Sequence, residues 1–203
     1  MSWYEWLTVA ALMICTLSLG FHFVRLVILG KPRDLARPAG SEKKGIRYSF
    51  TTGMSPAKKE SAYLHLPTYA AGLVYHLGTF LSFGLLAASL FNVNPTGFLA
   101  GLFCGFLLIS FSSGLFILIK RLWMRKMRIL SNPDDYLSNL LVTLLQASTA
   151  LSMFPGAEFV VIRFIIASVL LLYLPLGKLK HVVYFFAARY QLGIFFGRRG
   201  VWK

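Results

Sequence analysis

Five apolar runs limit what this chain can become: roughly residues 5–29, 66–91, 97–119, 136–154 and 158–180. Each is near or above the ~20 residues that an α-helix needs to cross the hydrocarbon of a bilayer. The runs are continuous and lack the period-two alternation of barrel strands, so they predict helices. They also account for a composition that is 57% hydrophobic and only 14% charged over 203 residues, far more apolar than an ordinary soluble domain. The sequence therefore predicts an all-α integral membrane bundle of five transmembrane helices, with residues 1–203 forming a single membrane domain. Glu5 stands where a signal peptide would carry its basic segment, so the first run is expected to be retained as a helix.

The net charge of +14 would point to nucleic acid in a soluble protein, but here the basic residues lie between spans. Lysine and arginine number eight in 31–62, five in 120–128 and six from Lys178 onward, while the turns NVNPTG and MFPGAE contain none. The positive-inside rule then predicts an outside N-terminus, a cytoplasmic C-terminus and a multi-pass protein of the cell inner (cytoplasmic) membrane, with no nucleic-acid partner. Glu5, Asp134, Asp135 and Glu158 fall at segment edges. No carboxylate is expected near mid-bilayer, which weighs against a proton- or cation-coupled transporter. Arg163, near the outer end of the fifth run, is expected to snorkel or to meet something bound toward that face. Cys15 and Cys104 lie inside apolar runs without CxxC spacing and read as packing residues.

Two stretches outside the spans differ from each other. Residues 31–62 combine proline, glycine and charge with scattered aromatics, which suits either a partner-docking loop or a solvated loop near anionic headgroups. The tail 181–203 mixes tyrosine, phenylalanine and arginine, as an interfacial or partner-docking segment would.

The histidines are His22, His65, His76 and His181. Eleven residues separate His65 from His76, about 1100° of helix, so the two share a face with a rise of about 16 Å between them. All four fall in the expected cytoplasmic half. Any one of them is explained by a hydrogen bond to a neighbouring helix. Four in one leaflet, without membrane carboxylates, suit axial ligation of haem iron. Zinc or di-iron sites call for Cys, Asp or Glu ligands that the spans do not offer. Gly72 and Gly78 flank His76 and keep its helix thin, for close packing or for a porphyrin slot. Arg25 and Lys178 stand at a depth suited to haem propionates, with Lys180 and Arg189 as further cations.

The run PLGKLKHVVYFFAARYQL, with Pro175 six positions before His181, resembles the end of the last helix in the gamma subunit of respiratory nitrate reductase, a five-helix cytochrome b family. IKRLWMRKMR followed by PDDYLSNLLVTLLQASTAL is similar to that family's third and fourth helices. HLPTYAAGLVYHLG resembles the second helix of the cytochrome b subunits of sulfite-reductase-associated and heterodisulfide-reductase-like complexes. The resemblance runs through most of the chain at low identity. It implies a haem b membrane subunit carrying electrons between a quinone or menaquinone pool and a cytoplasmic iron–sulfur or heterodisulfide-reductase-like partner, with the substrate chemistry in partner subunits.

In the nitrate reductase family two haems take two histidines each from helices two and five. Here the fifth segment offers His181 alone, and Arg163 stands eighteen residues earlier. Aligning the HLG tripeptide pairs His76 with His181 and puts the family's other helix-two ligand on Leu86, a joint loss of the outer haem. Aligning the histidine pair instead matches His65 with His181 and leaves His76 to a second haem, with His22 at similar depth. One haem b on His76 and His181 is the minimum expectation, with a second haem on His22 and His65 or His76 as the alternative. The rival expectation is a haem-free membrane anchor or assembly scaffold for such a complex.

Overall fold

The computed structural model describes residues 1–29, 35–58, 64–154 and 157–202. Every regular element among them is helical: α1 (Trp3–Ile28), α2 (Glu42–Phe50), α3 (Leu66–Leu90), α4 (Gly97–Trp123), α5 (Arg125–Ile129), α6 (Pro133–Leu151), α7 (Ala157–Tyr173) and α8 (His181–Arg198), with short 3-10 turns at Thr52–Met54, Pro56–Lys58 and Lys178–Lys180. Three helices, α1, α3 and α4, are long and apolar enough to cross a membrane, and a fourth span is reached if Glu158–Tyr173 and Lys178–Arg198 count as one broken segment. A bilayer is therefore the natural environment of this chain.

The fourth apolar run is α6, and it is not among the candidate spans. Its reason is polarity turned inward. Asp135, Ser138, Asn139, Thr143, Gln146, Ser148 and Thr149 are all buried, while Leu137, Leu140 and Leu144 face out. The fifth run ends as a helix at Tyr173, short of residue 180, because Pro175 has no N–H to continue the ladder and restricts Leu174 before it.

Two compact units are present. The first comprises Met1–Thr16 and Pro67–Leu179. Here α6 packs against α4 and α7, around a core of Leu86, Val142, Leu145, Phe164, Ala167 and Leu170. Small and polar groups add to its helix contacts, as expected where lipid weakens the hydrophobic incentive for helices to associate. Thr8 Oγ1 meets Ser168 Oγ at 2.8 Å and donates to the Phe164 carbonyl at 3.2 Å. Ser110 donates to the Val74 carbonyl at 3.1 Å, and a Cβ on Gly78 would run into the Ser110 side chain. Gly78 therefore serves close packing of α3 on α4, whereas Gly72 and Gly84 border open space.

The second unit comprises Leu17–Leu66 and Lys180–Lys203. The 31–62 stretch, within which residues 31–34 and 59–62 lie outside the described residues, forms the helix α2. Ser41 caps it, its hydroxyl accepting from the Lys44 N–H at 3.5 Å. The tail forms the helix α8, and α2 packs along it through glycines. A Cβ on Gly193 would lie 2.6 Å from Ile46 Cα, and one on Gly197 would lie 2.7 Å from the Ser41 carbonyl oxygen. Gly193 and Gly197 form a GxxxG pair, which lets helix backbones approach where larger residues hold them apart. The chain leaves α8 through Gly200 at φ +69°, a left-handed conformation suited to glycine.

Candidate functional site

In the second unit, His22 is half-buried on α1 and its Nδ1 lies 3.3 Å from Tyr184 Oη on α8. The two rings stand 6.0 Å apart. His181 is the first residue of α8, exposed, and one turn ahead of Tyr184 on the same helix face. His22 and His181 thus flank one tyrosine within a single unit. His65 is exposed in the turn before α3. Arg25 lies exposed in the last turn of α1.

In the first unit, His76 lies on the exposed side of α3 with Leu73, Leu77 and Phe80, away from the buried face of Gly78, Ser82, Leu85, Leu86 and Ser89. The neighbouring Tyr75 ring is 6.3 Å away. Tyr75 itself points inward and donates to the Asn139 carbonyl at 2.9 Å, with Thr143 Oγ1 at 3.1 Å. Gln146 Nε2 donates to the Tyr75 carbonyl at 2.9 Å and to Thr79 Oγ1 at 3.0 Å. This polar seam ties α3 to α6 and fills the space beside His76's helix with protein atoms.

Lys178, at a depth suited to a haem propionate in the sequence reading, forms an ion pair with Asp135 through its ammonium. Arg121 Nη1 reaches the same carboxylate oxygen at 3.1 Å. The other oxygen accepts from the Asn132 N–H at 3.0 Å, while Asn132 Oδ1 accepts from the Asp135 N–H at 3.0 Å, a reciprocal helix cap. Burial acts to raise the Asp135 pKa, yet the Lys178 and Asn132 hydrogen bonds and the Arg121 and Lys178 charges hold it below the usual carboxylate range.

Arg163 does not snorkel. It is 5% exposed, its Nη2 donates to Ser89 Oγ at 2.7 Å, and its guanidinium carbon lies 5.1 Å from the centre of the Phe164 ring. The Ser89 hydroxyl in turn donates a hydrogen bond to Asn94 Oδ1 or to the Leu85 carbonyl, both at 2.8 Å. Sequence reading missed this partnership, since 74 positions separate the two residues.

Among the described residues, no group of three or more His, Cys, Asp or Glu side chains could hold a metal ion. The expected ligands His76 and His181 belong one to each unit, whereas His22 and His181 share one. The arrangement defines an all-helical membrane protein carrying a polar-seamed bundle and a glycine-packed basic helix pair. Compared with protein families, curated proteins and solved structures, the chain matches none.

Proposed function

We propose that this chain is a haem b membrane subunit of a respiratory oxidoreductase complex, exchanging electrons between the quinone pool and a cytoplasmic iron–sulfur partner. The supporting observation is the His22–Tyr184 contact at 3.3 Å. A ligating histidine characteristically donates its second ring N–H to a fixed partner, which sets the tautomer and ring orientation. In the tautomer where Nδ1–H donates to Tyr184 Oη, Nε2 of His22 keeps its lone pair for iron. His181, one turn ahead of Tyr184, is the second ligand in this reading. The resemblance through HLG offers His76 in place of His22, and His65 remains a polar anchor at the start of α3 or a ligand of a second haem.

Haem b, when bound, supplies one-electron transfer, and two imidazoles leave its iron without an open position for substrate. The chain's own residues orient the imidazoles and supply cations such as Arg25. In this proposal the chain spans the inner membrane five times, with α6 crossing under cover of α4 and α7, the N-terminus outside and the C-terminus in the cytoplasm. The basic helix pair α2–α8 then faces the soluble partner.

The second reading is a haem-free anchor or scaffold, favoured by the close packing of Gly78 on Ser110, which leaves no porphyrin slot at that glycine. A reduced-minus-oxidised spectrum of protein expressed with ample haem separates the two: a b-type α-band supports the cytochrome, and its absence supports the scaffold.

A further inference from the structure

The second unit carries a cleft of about 550 Å³ lined by Lys44, Arg47, Tyr48, Thr51 and Thr52. Positions 44, 47, 48 and 51 follow the i, i+3, i+4, i+7 spacing of one helix face. The adjoining face, Gly45 and Ser49, is buried, with Gly45 against the α8 backbone at Gly193 and Gly197 and the Ser49 hydroxyl donating to the Arg189 carbonyl at 2.8 Å. The helix is thereby pinned with its basic face outward. Its single carboxylate, Glu42, is engaged 3.3 Å from Arg198 Nη1. Among the described residues neither Lys44 nor Arg47 has an acidic partner.

Aromatic rings flank this face. Tyr48 lies 5.2 Å from Trp202, and Trp202 lies 4.7 Å from Phe196. Tyrosine and tryptophan favour the headgroup level of a bilayer, and lysine and arginine there attract anionic lipid. The Thr52 and Tyr48 hydroxyls add hydrogen bonds of the kind a phosphate diester accepts, and a guanidinium matches two of its oxygens at once.

We propose that this cleft binds the phosphate of an anionic phospholipid headgroup, with Arg47 and Lys44 as its cations. The site is independent of haem. It would fix α2 at the membrane surface and leave α8 oriented by the glycine crossing.

The test is native mass spectrometry of the full chain in detergent, given phosphatidylglycerol or phosphatidylcholine. Wild type is expected to retain phosphatidylglycerol about tenfold over phosphatidylcholine, and Lys44→Gln/Arg47→Gln to lose that preference. Lys126→Gln/Arg128→Gln, which removes the same charge from α5, is expected to keep it. Equal retention by the cleft variant and wild type, or equal loss in the α5 variant, would overturn the proposal. Thr52→Val, with charge intact, is expected to lower retention severalfold and serves if the double variant unfolds; no change would count against the site. Displacement of the lipid by an equal concentration of inorganic phosphate would overturn the lipid assignment in favour of a soluble phosphate.

Discussion

Gly45 on α2 and Gly197 on α8 are held so close that a Cβ built on Gly197 would fall 2.9 Å from Gly45 Cα. Backbone meets backbone at this crossing, so no flexible side chain can move aside to admit a methyl group. Gly197→Ala is expected to destabilise the second unit by about 1–3 kcal/mol, the usual cost of overpacking. Limited proteolysis of the α2–α8 pair reads this directly: faster cleavage is expected, and an unchanged rate would show that the helices do not cross here.

Asp135 joins three elements through one carboxylate. Asp135→Asn keeps its size but removes the charge that Lys178 and Arg121 answer. A cost of about 1–2 kcal/mol is expected, less than the roughly 3–5 kcal/mol of a fully buried pair, because the Lys178 side chain is 57% exposed. The pH dependence has a definite sign. Since the folded pKa lies below the ordinary value of 3.8, the group's stabilisation is complete above that value and is lost as pH falls through the folded pKa. Thermal unfolding of wild type should weaken below about pH 4, and the Asp135→Asn curve should lack that component.

Tyr75→Phe removes the hydroxyl that spans Asn139 and Thr143. The seam should lose about 1 kcal/mol with the helices still in register, since Gln146 keeps its hold on the Tyr75 carbonyl. Denaturation in mixed micelles measures the loss.

At Arg163 the two partners should respond unequally. Ser89→Ala leaves a buried guanidinium without its acceptor and should cost about 1–3 kcal/mol. Arg163→Met leaves the Ser89 hydroxyl free to donate to Leu85 or Asn94 and should be nearly neutral. The reverse order in thermal unfolding would show that the arginine is held by some other group.

Much of this was legible in the residues. The apolar runs located α1, α3 and α4 within a few positions, because lipid demands unbroken helix of a set length. The tail helix was less visible: arginines and aromatics suggested an interface, but Gly193 and Gly197 carried the sharper signal of a helix crossing and went unread. α2 hid in a stretch whose proline, glycine and charge resemble a loop, and Ser41 at its start was the local clue. The Lys178–Asp135 pair is not legible in the sequence, since the two residues lie 43 positions apart and nothing local joins them. Histidine spacing predicts a shared helix face for His65 and His76, but His65 lies in the turn before α3; nor does spacing reveal that His76 is on the exposed side of α3, which depends on where α4 and α6 pack.

The central claim is tested most directly by the haem-to-protein ratio from pyridine haemochromes of the full chain and its histidine variants. The account predicts a stoichiometric b-type signal that His22→Ala and His181→Ala each abolish while His76→Ala and Tyr184→Phe retain it, the latter with a shifted reduction potential as the Nδ1 partner is lost. Loss with His76→Ala and not with His22→Ala would transfer the second ligand to α3. No haem in wild type under ample haem supply would contradict the cytochrome reading outright.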